Sequence, residues 1–214
     1  DELEREHDNL RAALEHLRAT DPRRLLRMAG QLGWFWHAHS HLAEGRRRMA
    51  EALAGSAERD EDRARALSAA GALAGYQGDL ATGRPLFDEA IDSWRTLGRE
   101  RELAMTFFDL AWGCFFVGDL ATGRRCMEES LAISRRLEDP ALVNRSQLGL
   151  LQVLVALGEL ETVPLLCTEA RELSRKLDDP WAEHFADHFI ADCALMQGDY
   201  PTAAAHYARS LDAA

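Results

Sequence analysis

Apolar residues recur at spacings of three and four along most of the chain, the period of an amphipathic helix. Segments 80–94, 120–137 and 160–177 show this period clearly. The segments that precede them, such as 106–117 and 148–157, are more uniformly apolar, as expected of helices that pack on more than one side. The pattern predicts an all-α chain in which a more buried helix A alternates with an amphipathic helix B.

Four glycines mark the predicted fold-back from helix A to helix B. Gly78, Gly118, Gly158 and Gly198 are 40 residues apart, and each is followed by an acidic residue and then by Leu or Tyr. Glycine tolerates the left-handed conformation that a reversing helix needs, and the acid that follows can cap the next helix. A fixed period of this length indicates stacked repeats.

A second signal marks where helix A begins. Asp-Pro pairs, a capping residue followed by a first-turn proline, occur at Asp21, Asp139 and Asp179. An earlier, degenerate copy has Ser40 in place of the turn glycine, and residues 1–18 form a separate amphipathic helix. We therefore predict about eleven helices in one α-solenoid domain spanning 1–214. The predicted segments are an N-terminal capping helix at 1–20 and five helical repeats at 21–57, 58–98, 99–138, 139–178 and 179–214.

The repeats resemble tetratricopeptide repeats (TPRs) over about residues 25–214. Small residues recur early in helix A and again on helix B, followed by a large residue four positions later; the fourth copy departs from this pattern at Val163 and Cys167. The period of 40 exceeds the usual 34, so we expect longer helices than in a standard repeat. The small and large positions are Gly33, Gly71 and Ala111; Gly45, Gly83, Gly123 and Ala203; Met49, Phe87, Met127 and Tyr207; and Ala52, Ala90, Ser130, Ala170 and Ser210.

The first 60 residues resemble a narrower group. The run from Glu6 to Leu14, followed by Trp36, by Glu44-Gly45-Arg46 and by Ala52-Leu53, is similar to the start of the repeat region in large bacterial signal-transduction (STAND-type) ATPases. These include MalT-like, LuxR-type and AfsR-like transcription regulators. The resemblance implies a region that senses an inducer or holds a regulator inactive.

The activities of such a regulator are expected outside this sequence. It contains no G-x-x-x-x-G-K-[ST] loop for nucleotide phosphates and no clear DNA-reading helix. The chain begins at Asp1 without Met and ends within a helical pattern at Ala214. We therefore expect it to be part of a longer protein.

Charge and composition exclude several classes of ligand. The net charge is −11, and its excess lies after residue 60, because residues 1–60 contain ten Arg and eleven Asp or Glu. An acidic surface repels phosphate backbones, so we expect no direct nucleic-acid binding. A basic cluster at Arg23, Arg24, Arg27 and Arg46–Arg48 is interpreted as a solvated helix face. No apolar run reaches the ~18 residues of a membrane span, so no membrane contact is expected.

The cysteines suggest the compartment. Cys114, Cys126, Cys167 and Cys193 form no C-x-x-C pair and lie in apolar helical patterns. Free cysteine commonly behaves as a small buried hydrophobe. Reduced thiols and the absence of a signal peptide predict a cytoplasmic protein.

The resemblance to TPR arrays implies a ligand groove, because their A helices line a concave face. The third copy is the richest in aromatic residues, which dominate binding hot spots. The same aromatic residues could instead be core between neighbouring helices, and the sequence leaves both interpretations open. The residues implied for the groove are Trp34, His37, Tyr76, Phe108, Trp112, Phe115, Phe116, Arg145, Gln152, His188 and Asp192.

The sequence predicts no catalytic residue, metal or cofactor. His37, His39 and His41 alternate, which on a helix scatters them around the axis, although near a helix end they could converge. His184 and His188 have i, i+4 spacing, but no third zinc ligand is evident, and a groove histidine hydrogen-bonded to Asp192 is expected instead. No nucleophile elbow is present, and paired carboxylates alone do not define acid–base catalysis. We therefore expect no enzyme activity.

These observations favour a binding module. The expected function is that of a TPR sensor and interaction region of a bacterial cytoplasmic transcription regulator. It would bind a peptide, a small inducer or a partner domain in its concave groove. The alternative is a self-association scaffold, in which the terminal repeats would join two copies as a homodimer.

Overall fold

The computed structural model describes residues 2–212, and in that range the chain is helical with no β-strand. It divides between Gly118 and Asp119 into two compact units, named unit 1 (up to residue 118) and unit 2 (from residue 119). The predicted all-α class is confirmed. No helix within 2–212 is long and apolar enough to cross a membrane.

Unit 1 contains eight helices over its described residues. They are α1 (Glu2–Arg5), α2 (His7–Thr20), α3 (Pro22–Gln31), α4 (Gly33–Ala38), α5 (Leu42–Ala54), α6 (Glu61–Tyr76), α7 (Leu80–Leu97) and α8 (Glu100–Phe116).

Unit 2 contains five helices in the part of the chain that the structure describes. They are α9 (Leu120–Arg136), α10 (Pro140–Leu157), α11 (Val163–Lys176), α12 (Pro180–Met196) and α13 (Tyr200–Asp212).

Residues 2–212 thus form thirteen helices rather than the predicted eleven, because two predicted helices are interrupted. The N-terminal helix breaks at Glu6, and the first helix A breaks at Leu32, where ψ is close to 0° in both cases. Backbone hydrogen bonds continue across both breaks, for example from Trp36 N–H to Leu32 C=O at 3.1 Å. Each break therefore interrupts a helix without ending the run of backbone hydrogen bonds.

The four turn glycines end helix A as predicted. Gly78, Gly118, Gly158 and Gly198 have φ between +73° and +79°, a region that side chains make costly. In three of the four turns the following aspartate accepts the backbone N–H three residues later, at 3.2 Å. This is the N-cap that the sequence predicts.

The remaining turn, at Gly158, lacks this cap. Glu159 stands where the other copies have Asp, and α11 begins only at Val163, with Thr162 as an N-cap whose side chain makes no capping hydrogen bond. In the other three turns helix B begins two residues after the glycine. Glutamate is one methylene longer than the residues favoured at an N-cap, and the Glu159 carboxylate instead pairs with Arg124. The first turn of this helix is lost as a result.

The turns from helix B back to the next helix A also recur with a fixed period, which was not predicted from the sequence. Gly98, Glu138 and Asp178 are left-handed, with φ of +67°, +51° and +53°. They are also 40 residues apart. The predicted starts of helix A at Asp139 and Asp179 follow directly, and each aspartate caps its helix at 3.0 Å.

Packing within each unit follows the stacked-repeat pattern. In unit 1, α6 packs on its own helix B, α7, and also on the A helices on either side, α3 and α8. In unit 2, α10 packs on α9, α11 and α12, and α12 packs on α13. Trp36 and Trp94 are buried in unit 1, and all four cysteines are buried and unbridged, as the sequence predicts.

Candidate functional site

Seven of the eleven predicted groove residues lie in unit 1, and ring contacts join all of them into one continuous series. They come from α4, the last residue of α6 and the second half of α8. We call this series the aromatic row. Its members are Trp34, His37, Tyr76, Phe108, Trp112, Phe115 and Phe116.

The first half of the aromatic row joins α4 to α6. The rings of Trp34 and His37 have centroids 5.1 Å apart. The His37 ring then stacks on Tyr76 at 4.0 Å, with an angle of 25° between the planes. Ring contacts of this kind contribute stability beyond the area that they bury.

The second half lies on α8. Tyr76 meets Phe116 at 6.0 Å, and Phe116 contacts Trp112 at the same distance. Trp112 also makes edge contacts with Phe115 at 5.4 Å and with Phe108 at 6.1 Å. Positions 108, 112 and 115 follow the i, i+4, i+7 spacing of one helix face.

Glycines at the helix contacts let these rings come together. A Cβ atom on Gly75 would lie 3.0 Å from the Cα of Gly113, so α6 and α8 meet backbone to backbone one residue before Tyr76. A Cβ on Gly33 would lie 2.6 Å from the Cβ of Ala69, so α4 also approaches α6 closely. The rings on α4 and the rings on α8 are therefore held close to Tyr76 on α6.

The aromatic row has two exposed members, and its other rings are more buried. Trp34 is 65% exposed and Phe116 is 52% exposed. His37, Tyr76, Trp112 and Phe115 are partly buried, whereas Phe108 is only 8% exposed and belongs to the core of unit 1. The core interpretation therefore holds for Phe108, and the groove interpretation stays a prediction for the other members.

Two polar groups accompany the rings. The Nδ1 atom of His37 is buried and makes no hydrogen bond to any residue in the described range, and burial lowers the pKa of this imidazole. The Tyr76 hydroxyl donates to Asp109 Oδ1 at 3.4 Å. Asp109 was not among the predicted site residues, although it is the charge that interrupts the apolar run of α8.

The four remaining predicted residues lie in unit 2. Arg145 is exposed and Gln152 is partly buried, both on α10. His188 and Asp192 pair on α12 with 3.6 Å between Nε2 and Oδ2, a contact longer than the expected hydrogen bond. Asp192 also accepts a hydrogen bond from the Tyr207 hydroxyl at 2.6 Å, which raises the pKa of Tyr207 to about 12.

The basic cluster predicted near the first repeat is neutralised by acidic neighbours. Arg27 pairs with Asp62 at 3.0 Å, Arg48 with Glu15 at 3.1 Å, and Arg46 with Asp79. Arg48 is also buried, so the prediction of a solvated helix face is wrong at this residue. A cluster already engaged in this way offers little to a phosphate backbone.

Comparison with known proteins places the fold. No family model matches the chain, and no curated protein sequence matches it significantly. Among solved structures, BtubC (BKLC) from P. vanneervenii is similar over the whole of this chain and 91% of its own, with a TM-score of 0.79 and 16% identity.

Two further structures are of a Podosopora anserina putative kinesin light chain with nearly identical TPR-like repeats. A variant of that protein aligns with 90% of this chain and 95% of its own, at a TM-score of 0.73 and 15% identity. The unsubstituted protein aligns with 91% and 96%, at a TM-score of 0.72 and 15% identity. Taken with the helix pairs and their glycine turns, these similarities show that the chain has the fold of TPR-like repeat proteins.

Proposed function

We propose that the chain is a non-enzymatic binding module whose aromatic row holds a peptide segment of a partner protein. The observation that carries this proposal is the continuity of the row: three helices supply rings that touch in series, and two of these rings, Trp34 and Phe116, are more than half exposed. Aromatic side chains offer large contact area at low entropic cost and are enriched in binding hot spots.

The proposed ligand carries apolar side chains and at least one Lys or Arg. Apolar side chains suit the rings, and a cation suits both their faces and the Asp109 carboxylate beside Tyr76. The net charge of −11 also favours association with a basic segment. A small inducer with an apolar body and a cationic group would satisfy the same chemistry and is the alternative ligand.

The experiment selects peptides from a random library against the chain and measures their affinity by calorimetry. The test variant is Trp34→Ala, and Trp181→Ala is its matched control, because both tryptophans are 65% exposed but Trp181 lies on α12. We expect Trp34→Ala and Phe116→Ala each to weaken binding by about 1–3 kcal/mol without changing the melting temperature. We expect Trp181→Ala to bind as the wild type does.

Two results would contradict the proposal. One is a set of selected peptides that bind Trp34→Ala and Phe116→Ala as tightly as the wild type. The other is a large fall in melting temperature for Phe116→Ala, which would make that ring a structural element rather than a contact for a ligand.

We propose further that this module is the sensing region of a bacterial transcription regulator. The residues that carry the resemblance to such regulators contact one another: Arg11 donates two hydrogen bonds to Glu44, at 2.9 Å and 2.7 Å, and His7 lies 3.3 Å from the same carboxylate. This contact gives the short sequence signature a structural role, because it holds α2 against the start of α5.

The sequence of the complete gene tests the regulator proposal. Its reading frame is expected to encode a phosphate-binding loop before residue 1 and a helix-turn-helix domain at one end. In the full-length protein, the selected peptide should change DNA affinity, which requires unequal affinity for the two states of the regulator. A reading frame without either domain would overturn this proposal and leave the peptide-binding proposal intact.

Self-association is the second candidate, and one observation favours it. Leu195, Met196 and Tyr200 are 47%, 55% and 68% exposed around a single turn of unit 2, and clustered exposed apolar side chains often mark an interface. Light scattering of the wild type and of Met196→Ser/Tyr200→Ser tests it. A dimeric wild type and a monomeric variant would support the candidate, and a monomeric wild type at high concentration would exclude it.

A further inference from the structure

Four side chains with metal-binding chemistry converge at the N-terminal end of unit 1. Glu4 on α1 and His7 at the start of α2 meet His39 and His41, which lie more than 30 residues later in the turn between α4 and α5. One ligand atom each of Glu4, His7 and His41 lies within 4.8 Å of the other two. We call these four residues the histidine cluster.

The turn at Ser40 accounts for the convergence. On a continuous helix, residues 39 and 41 would point in different directions, as the sequence analysis noted. Ser40 instead adopts a left-handed conformation with φ of +61°, and His41 N–H donates to Trp36 C=O at 2.8 Å. Both histidines therefore reach one carboxylate, with His41 Nε2 3.2 Å and His39 Nδ1 3.4 Å from Glu4.

These separations match those between ligands of one small metal ion. Ligand atoms about 2.0–2.2 Å from a tetrahedral ion lie about 3.3–3.6 Å from one another. The His41–Glu4 and His39–Glu4 contacts fall within or just below that range. Imidazole and carboxylate ligands together suit Zn²⁺ and related transition-metal ions better than Mg²⁺ or Ca²⁺, which prefer oxygen alone.

His7 supplies an independent observation. It is only 8% exposed, and its Nε2 atom is buried without a hydrogen bond to any described residue. A buried polar atom without a hydrogen bond is costly, and a metal ion would satisfy it. The sequence offered no indication of this, because His7 lies far from the three alternating histidines.

The surroundings of His7 also favour a cation. Glu44 Oε2 lies 3.3 Å from His7 Nε2, and Arg11 holds the Glu44 carboxylate with two hydrogen bonds. This carboxylate lies beside the same nitrogen that would bind the ion, so it adds negative charge at the site and does not orient the ring through the other nitrogen. Glu4 adds a second carboxylate to the same group of imidazoles, and a divalent ion would be attracted by both.

We propose that Glu4, His7 and His41, with His39 beside them, bind a divalent transition-metal ion of the Zn²⁺ class. The ion fastens α1 and α2 to the turn between α4 and α5, and so holds the N-terminal helices on the first repeat. This site is separate from the aromatic row, and its metal has a structural role.

The test titrates chelator-treated, tag-free protein with ZnCl₂ in a calorimeter and in thermal melts. We expect one Zn²⁺ per chain and a rise in melting temperature of at least about 5 °C when the free ion exceeds its Kd about 100-fold. MgCl₂ and CaCl₂ should leave the melting temperature unchanged. Co²⁺ should give the visible absorption of a tetrahedral or five-coordinate site.

The variants assign the ligands. Glu4→Gln and His41→Gln, which remove ligands, should each weaken Zn²⁺ binding more than about 100-fold, and Glu44→Gln, which removes a negative charge beside His7 Nε2, should weaken it less. Glu4 is exposed, so its variant is expected to fold even if a buried one does not. The matched control is His16→Gln, an exposed histidine of α2, which should bind as the wild type does.

Two outcomes would overturn the proposal. One is no saturable Zn²⁺ binding by the wild type at micromolar concentrations. The other is binding that Glu4→Gln and His41→Gln retain in full, which would place the ion elsewhere, for example at the His184 and His188 pair of unit 2.

Discussion

A Cβ atom on Gly75 would lie 3.0 Å from the Cα of Gly113. At this point α6 and α8 touch through their backbones, with no side chain between them. The contact sets the spacing of two neighbouring A helices, and Tyr76 and Phe116 follow it by one and three residues. The position of the rings in the aromatic row thus depends on two residues that have no side chain.

Gly75→Ala is therefore expected to destabilise unit 1. The added methyl group meets backbone, which cannot move aside, and overpacking of this kind costs about 1–3 kcal/mol. The better helix propensity of alanine returns up to about 1 kcal/mol, so we expect a net loss of about 1–2 kcal/mol in urea unfolding. Gly113→Ala is the control, since its nearest atom is the movable Leu80 Cδ1 at 3.2 Å and the backbone of Gly75 is farther away, at 3.3 Å. Its loss should be smaller.

Replacing the non-glycine residues at the returns from helix B should stabilise the chain. Glu138→Gly relieves a left-handed side chain, a strain of about 1–2 kcal/mol, less the entropy that glycine loses on folding. Asp178→Gly should gain less, because aspartate tolerates this conformation better than glutamate. Gly98→Ala should destabilise by about 1 kcal/mol. Denaturant midpoints of the three variants give the order, and a loss of stability in Glu138→Gly would contradict the assignment.

The pairing of Arg46 with Asp79 should make stability depend on pH in the acid range. The Arg46 guanidinium, helped by Thr82, lowers the pKa of Asp79 in the folded chain. The contribution of this pair is therefore present above the unfolded pKa of about 3.9 and is lost as the pH falls through the lower folded value. Asp79→Asn keeps a capping side chain but removes the charge.

We expect Asp79→Asn to be less stable than the wild type at pH 7 and to match it more closely at about pH 3, where the carboxyl of the unfolded chain is mostly protonated. Urea midpoints at the two pH values measure the difference. Arg46→Gln removes the same interaction from the other side, and in its presence Asp79→Asn should have a much smaller effect at pH 7. An unchanged effect in the double variant would show that Arg46 is not the cause.

The buried thiols should resist alkylation in the folded chain. Cys167 is fully buried, and burial raises the pKa of its thiol to about 12, so the reactive thiolate is scarce at pH 8. We expect iodoacetamide to leave Cys167 unmodified over hours in native buffer and to modify it within minutes in urea, as read by mass spectrometry. Rapid modification of Cys167 without denaturant would show that α11 opens readily.

The sequence allowed the repeat to be predicted because its signals are local. A turn glycine such as Gly118 and an Asp-Pro start such as that at Asp139 act through their own backbone, so their spacing carries the architecture. The returns at Glu138 and Asp178 were missed because neither residue is a glycine, the residue that most often marks a left-handed position.

The candidate sites depended on distant contacts and were predicted less completely. The resemblance to TPR arrays implied that Trp112 and Phe115 line a common groove. It could not show that Tyr76 would join them to His37, because that depends on the close approach at Gly75. Nor could it bring His7 to His41, since the turn at Ser40 does this.

The late start of α11 has a consequence for how the molecule moves. The segment between Gly158 and Val163 precedes the first helical turn, and no side chain caps the helix that follows it. The Glu159–Arg124 ion pair, between two half-exposed side chains, ties this turn to α9. Regions with few internal hydrogen bonds open at the lowest free energy. In hydrogen–deuterium exchange, the backbone amides of this turn should therefore exchange well before those of the matching turns at Gly78 and Gly118, where an aspartate caps the helix.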